Sequence, residues 1–367
     1  MLSYRKLAMR VLGRPLNTGG GNDSSRPASQ RAVAFILTAA MLTTLTAPAF
    51  AKTWYIEEGD ITISAGKTEG TNKVTQGTTT DEEDTNTTIT NRDKDTPSSN
   101  TVTIKAENEN DKVEVKLEDV NIDTSKQSKA AVSVTGKGDT NIELDGDNEL
   151  KSGAGHAGLE HNKTDTSGEL TIQDKDNNGS LEAAGGFKGA GIGSAGSNDA
   201  QVKITGGNIT ATSDDWGAGI GSGSDGTAYV EITGGEINAT GGYLGAGIGG
   251  GCNGSGNVTI SGGGITAAGG EGAAGIGGGY YNGATVTITG DAVIKNASST
   301  KYGAGIGGGN GSDGNVTISG NAKIENATGG YGAAGIGGGA FSSPDKIGNG
   351  NVVIKDNAKI DLSLIHI

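Results

Sequence analysis

The sequence is poor in cysteine, proline and aromatic residues. Its 367 residues include one cysteine, Cys252, and five prolines, and aromatic residues make up 4% of the chain. A single cysteine excludes an intramolecular disulfide, so the fold must be held together by packing alone. A lone thiol in a glycine-rich loop is commonly incidental, and we expect no catalytic role for Cys252.

Positive charge is scarce as well. Six of the 28 basic residues but only one of the 42 acidic residues lie in residues 1–51, which leaves 22 basic against 41 acidic residues, a net charge of −19. Only one arginine, Arg92, lies beyond Ala51. This charge disfavours nucleic acid and anionic membranes as partners, and it suits cations or neutral glycans. Most acidic residues lie between Glu57 and Glu182, so the C-terminal half is nearly neutral.

The N-terminal segment predicts secretion. Residues 1–31 carry six basic residues, an apolar run extends from Ala32 to Leu45, and Ala49-Phe50-Ala51 forms an A-x-A cleavage site. These features are typical of a secretory signal peptide, which we place at residues 1–51. An uncleaved membrane anchor is the alternative, but the run is short for a span of about 20 residues. We expect a mature protein that is secreted or attached to the cell wall, without membrane insertion.

Glycine, in contrast, is abundant, and its distribution is periodic. The 69 glycines include recurring GxGIG and AAGIG segments, whose isoleucines are separated by 28, 28, 28, 30 and 30 residues. These repeat isoleucines are Ile192, Ile220, Ile248, Ile276, Ile306 and Ile336. Self-similarity at a period of about 20 to 50 residues indicates a repeat architecture.

Each repeat contains three short apolar segments. In the unit of residues 243–270, Ile248 is followed by Val258 and Ile260, and then, after a glycine-containing turn, by Ile265. Alternation with period 2 indicates strands, and no segment of the repeat has helical spacing. Coils stacked about 4.8 Å apart would join these residues into internal ladders. We therefore predict an all-β fold, a single-stranded parallel β-helix with three strands per coil, and we expect the right-handed form.

The repeat weakens toward the N-terminus but continues there. Upstream apolar positions are Ile104, Leu117, Ile122, Val132, Leu144, Leu150, Leu159, Ile172 and Leu181, with Ile61–Ile63 as the expected first strand. We predict nine or ten coils of 28–30 residues in one domain, residues 52–361. Coils 52–182 are acidic and irregular, and coils 183–361 are regular and glycine-rich.

Two segments depart from this pattern. Residues 65–100 are rich in Thr, Asp, Glu, Asn and Ser, and we expect an excursion or mobile loop there. Residues 362–367, LSLIHI, resemble a translated adaptor used in preparing sequencing libraries, so we expect them to be an artefact.

Several stretches carry a resemblance to a known group of proteins. They are WYIEEGDITI (54–63), LEDVNIDTS (117–125), NIELDGDNELKSGAGHAGLE (141–160) and the repeated GAGIG, VTI, GG and IT segments. Together they resemble the β-helical repeat proteins of Gram-positive cell surfaces, which are similar to carbohydrate-binding β-helix domains and adhesin-like proteins. The likeness covers nearly all of residues 52–361. It implies a β-helix on the cell surface that binds an extracellular glycan or the surface of a host or neighbouring cell.

The few aromatic residues cluster around the repeat isoleucine. Five lie four or five residues before it and three lie four or five residues after it: Phe187, Trp216, Tyr243, Tyr302 and Tyr331, and then Tyr280, Tyr281 and Phe341. Stacking would arrange them as ladders spaced about 4.8 Å apart, close to the rise of an extended sugar chain. Rings with an apolar face and a polar tip suit a neutral polysaccharide. These eight residues are the predicted carbohydrate-binding site; rings that only seal the turns are the alternative.

The glycines of the GAGIG segments suggest a bare surface between these ladders. Ala190 and Ile192 share one strand face and the glycines share the other, so we expect a filled inner face and an outer face open to a ligand. Gly245, Gly247 and Gly250 also satisfy the G-x-G-x-x-G pattern. That pattern binds dinucleotides only between a strand and a helix, so we do not expect nucleotide binding.

Other chemistry has weaker support in the sequence. Asp225 in GSGSDG and Asp313 in GNGSDG are candidates for the ligands of one structural Ca²⁺, although we expect no cofactor. His156, Glu160 and His161 could form a local site.

Three classes of function remain. The favoured one is a non-enzymatic surface module, a monomer, that binds or adheres to carbohydrate. The first alternative is a polysaccharide lyase or glycoside hydrolase, although the regular coils lack an arginine for a lyase and an evident pair of opposed carboxylates for a hydrolase. The second alternative is a structural stalk.

Overall fold

The computed structural model describes residues 51–341 and 347–361. Apart from one 3₁₀ turn, Ile56–Glu58, its regular elements are β-strands. The predicted signal peptide, except for Ala51, and the predicted adaptor segment lie outside the described residues, and both stay predictions.

The strands form three parallel sheets that run along the molecule, and the chain visits them in turn. Sheet A consists of Thr53–Tyr55, Thr87–Thr90, Lys112–Glu118, the first part of Asp139–Lys151, Leu170–Gln173, Asp199–Ile204, Ala228–Ile232, Gly256–Ile260, Ala284–Ile288, Gly314–Ile318 and Gly350–Ile354.

Sheet B has the shortest strands in the regular coils. It consists of Ile61–Ala65, Val102–Ala106, Val132–Gly136, Leu159–Lys163, Ile192–Gly193, Ile220–Gly221, Ile248–Gly249, Ile276–Gly277, Ile306–Gly307 and Ile336–Gly337. Two further strands, Asn72–Gln76 and Thr79–Asp84, extend it in antiparallel fashion beside Ile61–Ala65.

Sheet C completes each coil. It consists of Asn121–Asp123, the second part of Asp139–Lys151, Gly179–Gly185, Asn208–Ser213, Glu236–Thr240, Gly264–Gly269, Val293–Ser299, Lys323–Ile324, Ala327–Thr328 and Lys359–Ile360. The order B, A, C repeats through about nine turns, so the predicted parallel β-helix is confirmed.

The core is a set of apolar ladders inside the coil stack. Ile248, Val258, Ile260 and Ile265 are at most 2% exposed, as the alternation predicted. Each pairs with its counterpart in the next coil, so the repeat spacing read from the sequence is also the hydrogen-bonding register. Burying such side chains contributes about 1.5–3 kcal/mol each, and the sum holds together a fold without disulfides.

The N-terminal coils follow the predicted ladders less closely. The strand Asp139–Lys151 passes from sheet A to sheet C without an intervening turn. Ile172 pairs with Ile142, whereas Leu144, two residues further along the strand, pairs with Leu117 of the preceding coil. Spacing between apolar residues does not reveal a corner that is turned within one strand.

The structure also has strands where a loop was expected. Within residues 65–100, Asn72–Gln76 and Thr79–Asp84 form an antiparallel hairpin and Thr87–Thr90 is a rung of sheet A. Thr53–Tyr55, ahead of the expected first strand, pairs with this rung. The prediction failed because several of the buried positions here are polar side chains, which an apolar periodicity cannot detect.

Candidate functional site

The predicted aromatic residues lie on two loops that flank sheet B, and the structure brings these loops together. The loop after the sheet B strand of one coil donates a backbone hydrogen bond to the loop before the strand of the preceding coil. Tyr280 N–H donates to the carbonyl of Leu244 (3.1 Å), and Ala340 N–H donates to that of Tyr302 (2.8 Å). Residues from both sets therefore share one side of the solenoid, and we call the eight aromatic residues the aromatic stripe.

The N-terminal end of the stripe is a cationic aromatic cluster. The rings of Phe187 and Trp216, from adjacent coils, have centroids 5.1 Å apart and are tilted by 47°. The ammonium of Lys188 lies 4.9 Å from the Trp216 centroid and 5.7 Å from that of Phe187. Cation–π attraction of this kind contributes about 0.5–1 kcal/mol at an exposed site. It holds Phe187 in place while leaving it 40% exposed.

The middle of the stripe combines a ring with an ion pair. Tyr243 is 54% exposed. Its hydroxyl donates a hydrogen bond to the carboxylate of Glu271, and this bond raises the pKa of Tyr243. Glu271 Oε2 lies 2.8 Å from the Nζ of Lys301, which lowers the pKa of Glu271 and raises that of Lys301. The hydroxyl of Tyr243 is therefore held beside this ion pair while about half of the residue stays exposed.

The C-terminal end of the stripe is a cluster of three rings. Tyr280 and Tyr281 have centroids 3.9 Å apart, and Tyr280 donates its hydroxyl proton to the Tyr281 oxygen (2.9 Å), which raises the pKa of Tyr280 to about 12. Tyr281 lies 5.9 Å from Phe341, two coils further on. Tyr331 is separate and almost fully in solvent, and Tyr302 is half-buried.

The glycines do not form the expected bare outer face. Gly245, Gly247 and Gly249 are buried. A Cβ added to Gly249 would overlap the carbonyl oxygen of Gly277 in the next coil, and one at Gly247 would lie 2.7 Å from the backbone nitrogen of Ala268 in sheet C. These contacts show that glycine allows the backbones of the protein itself to meet. They leave no bare glycine surface for a ligand.

Glycine instead makes room for the rings of the stripe. A Cβ at Gly272 would collide with the ring of Tyr280, and one at Gly311 would lie 3.0 Å from the ring of Phe341. Phe341 therefore lies on the backbone of the preceding coil, whereas Tyr280 lies on the loop that precedes the sheet B strand of its own repeat. The ladders do not flank a separate glycine surface; rings and ion pairs are themselves the exposed surface.

The two aspartates proposed as calcium ligands do not converge. Asp225 Oδ1 accepts a hydrogen bond from the Nδ2 of Asn253 (3.1 Å), and Asp313 Oδ1 accepts one from the backbone N–H of Asn349 (2.6 Å). Each aspartate thus ties its loop to the next coil.

A different acidic group, in the N-terminal coils, has the geometry for a cation. Among the described residues, Glu143, Asp174 and Asp176 place carboxylate oxygens within 4.8 Å of one another. Asp174 Oδ1 and Oδ2 accept hydrogen bonds from the N–H groups of Asn178 and Gly179, both at 3.1 Å, and Glu143 is paired with Lys175. The sequence Asp-x-Asp-x-Asn-Gly at 174–179 matches the beginning of the calcium-loop pattern, so a motif scan would have found it.

The histidine site is only partly assembled. His156 Nδ1 lies 2.8 Å from Glu160 Oε2, whereas the ring of His161 turns away and its Nδ1 lies 2.9 Å from the carbonyl oxygen of Gln201. Burial lowers the pKa of His161 and raises the pKa of Cys252 to about 11, so neither group is poised for acid–base or nucleophilic chemistry near neutral pH.

Sequence reasoning missed two charged residues beside the stripe. Glu271 and Lys301 occupy the same place in their repeats as Tyr243 does in its own, five residues before the repeat isoleucine. Aligning the repeats column by column would have found both residues, whereas a search for aromatic residues passes over them.

Comparison with known proteins agrees with the geometry of the coils. Residues 202–224, 230–252, 258–280 and 316–340 match the family described as "Beta helix repeat". Each match begins at the inward valine of sheet A and extends past the next repeat isoleucine, so the chain is a β-helical repeat protein. No curated protein and no solved structure is significantly similar to it. The described part of the chain contains no helix that is long and apolar enough to cross a membrane.

Proposed function

We propose that the protein is a non-enzymatic, extracellular surface module that binds an extended, neutral glycan along the aromatic stripe. The observation that carries the proposal is the recurrence of half-exposed rings at coil spacing on one side of a rigid stack. Phe187 and Tyr243 are two coils apart, roughly 10 Å at the usual strand spacing. The rise per sugar in an extended chain is close to the spacing of one coil, so a single glycan chain could contact both aromatic residues.

The chemistry of the stripe favours an uncharged ligand. The Glu271–Lys301 pair is internally neutralised, and Lys188 is engaged by the rings of Phe187 and Trp216. Apolar ring faces beside fixed hydroxyl, carboxylate and ammonium groups match the alternation of C–H faces and hydroxyls on a sugar. The net charge of −19 beyond residue 51 adds a general repulsion of anionic polymers.

The test is binding of residues 52–361 to a panel of soluble glycans, measured by calorimetry or affinity electrophoresis. Trp216→Ala and Tyr243→Ala should each weaken binding about tenfold, which corresponds to about 1.4 kcal/mol. Tyr55→Ala is the matched control, because Tyr55 lies in the first coil and stacks under Arg92 at 3.9 Å. Unchanged affinity in both stripe variants would move the site elsewhere.

The same incubation tests the absence of catalysis. A binding module should release the glycan unchanged, without new reducing ends and without unsaturated products. The appearance of either product would replace this proposal with the lyase or hydrolase alternative.

A further inference from the structure

The outer face of sheet A carries a groove that is separate from the aromatic stripe. Its volume is about 570 Å³, and we call it the sheet A groove. Its lining includes Lys203, Tyr229, Glu231, Asn257, Thr259 and Thr287. Four neighbouring strands of the sheet contribute to it, so it runs along the axis of the solenoid.

The groove follows directly from the alternation of the strands. Val202, Val230 and Val258 point into the core, so the residues on either side of them point outward. Direct pairing aligns these outward residues into two columns, one of Gln201, Tyr229, Asn257 and Thr285 and one of Lys203, Glu231, Thr259 and Thr287. Hydrogen-bonding groups therefore recur with each coil, about 4.8 Å apart.

Tyr229 is the aromatic platform of this groove. Its side chain is 40% exposed. The ammonium of Lys163 lies 5.1 Å from the centroid of its ring, on a segment that runs antiparallel to the start of Asp199–Ile204. The cation holds the ring without burying it, as Lys188 does for Phe187 in the aromatic stripe.

The charges of the groove leave little attraction for an ionic ligand. Lys203 Nζ lies 3.4 Å from Glu169 Oε1 and 3.7 Å from Glu231 Oε2, so its charge is already compensated. The remaining polar groups are amides, threonine hydroxyls and the phenol. Such a set donates to and accepts from hydroxyl groups, and it fits a neutral ligand that is rich in them.

A peptide is a less suitable occupant than a glycan. Strands Ala228–Ile232 and Gly256–Ile260 are each paired on both sides, so their backbone groups offer no edge to an added strand. Peptide recognition by strand addition needs such an edge. A polymer that stacks on one ring and bonds to side-chain groups has no such requirement.

We infer that the sheet A groove is a second glycan-binding site. In this site Tyr229 stacks against one sugar, and the groove-lining side chains between Asn257 and Thr287 form hydrogen bonds with the hydroxyls of the sugars that follow. The inference rests on the proposed function, since it assigns the same class of ligand. Two sites on different faces of one rigid solenoid would let a single molecule bridge two chains of a polysaccharide.

The experiment measures binding of oligosaccharides from the same panel to Tyr229→Ala, Tyr229→Phe and Asn315→Ala. Tyr229→Ala should weaken binding at this site about tenfold, and Tyr229→Phe should stay within twofold because the ring remains. Asn315 is the control, since it continues the column of Thr285 one coil beyond the lining of the groove. Circular dichroism and thermal melting confirm that each variant is folded.

The outcomes separate this inference from the proposed function. If the stripe variants lose binding while Tyr229→Ala binds like the wild type, the stripe is supported and the second site is overturned. Loss in Tyr229→Ala with unchanged stripe variants supports the groove and overturns the stripe. An absence of binding by the wild type to every glycan overturns both, and equal loss in Asn315→Ala and Tyr229→Ala overturns the groove as a specific site.

Discussion

Backbone ladders join successive coils throughout, but buried side-chain amides add connections between the coils of residues 52–182, whereas in residues 183–361 glycine lets the backbones of adjacent coils approach closely. Asn148 shows the first case, because its Oδ1 accepts from the N–H of Val120 (3.0 Å) and its Nδ2 donates to the carbonyl of Ser180 (3.0 Å). Three coils are thus joined by one buried amide.

The regular coils have isoleucines such as Ile209 in the column of Asn148, and their glycines lie instead around sheet B, where adjacent backbones meet. Ile248 N–H donates to the carbonyl of Gly275 (3.0 Å) and Gly250 N–H to that of Gly277 (2.9 Å), with no Cβ to separate the chains. These backbone connections recur in sheet B from Ile192 to Ile336, so this sheet keeps a constant register, whereas sheet C shifts its register between Ile265 and Thr266. A column of rings needs that constancy, and the aromatic stripe accordingly occurs only in these coils.

The comparison of the two regions predicts that the largest loss of stability follows substitution of glycines that are packed against backbone. Gly249 has φ of +132° and an added Cβ would overlap Gly277, so Gly249→Ala should cost at least about 3 kcal/mol of unfolding free energy. The measurement is urea unfolding followed by circular dichroism.

Gly70→Ala is the matched control for this substitution. Gly70 also has a positive φ, +80°, but nothing lies within 4 Å of its added Cβ. Only the backbone strain of about 1–2 kcal/mol should remain. Equal losses in the two variants would show that coil contact is not the reason for the glycine.

The second prediction concerns the buried amide of the N-terminal coils. Asn148→Ala leaves the N–H of Val120 buried without its acceptor, and such a loss costs about 1–3 kcal/mol. Asn238, exposed on sheet C of a regular coil, is the control, and Asn238→Ala should change stability by less than about 0.5 kcal/mol. The same urea unfolding measures both, and similar values for the two variants would contradict the role of side chains as connectors.

The same contrast explains how much the sequence could predict. Ile248, Val258 and Ile260 were assigned to the core correctly because apolar alternation and direct stacking are both local rules. The strand Asn72–Gln76 was missed, since its inward positions include Asn72 and Gln76, whose amides are satisfied by distant partners such as the carbonyls of Glu114 and Tyr55.

The surface of the site was predicted in part for a related reason. Repeat spacing indicates that Tyr243 and Tyr280 recur near sheet B, but not that their loops are hydrogen-bonded neighbours. It also indicates which residues share a strand face, but not how closely the next backbone approaches Gly247 or Gly249. Such distances depend on the stacking of whole coils, which no single repeat encodes.

The third prediction concerns the pH dependence of stability that arises from His161 in the N-terminal coils. Burial lowers the pKa of His161 below its ordinary value near 6.5, so folding favours the neutral ring. This contribution to stability is complete above pH 6.5 and is lost as the pH falls below it, by at most about 1.4 kcal/mol per pH unit. The melting temperature should therefore decrease between pH 7.5 and 5.5.

His161→Asn tests the origin of that decrease. The amide can replace the donor to the carbonyl of Gln201 without titrating, so the variant should show a shallower dependence of melting temperature on pH. If melting temperature depends on pH as steeply in the variant as in the wild type, groups other than His161 cause the decrease.

The smallest effect is expected from removal of divalent cations. The acidic group of Glu143, Asp174 and Asp176 belongs to the N-terminal coils, whereas the rings and the Glu271–Lys301 pair of the stripe belong to the regular coils. The glycan site proposed above includes no ion, so EDTA should change the dissociation constant by less than about twofold, well under 1 kcal/mol. A large loss of affinity, reversed by Ca²⁺ but abolished in Asp174→Asn, would instead couple binding to the acidic coils and remove the functional division between the two regions.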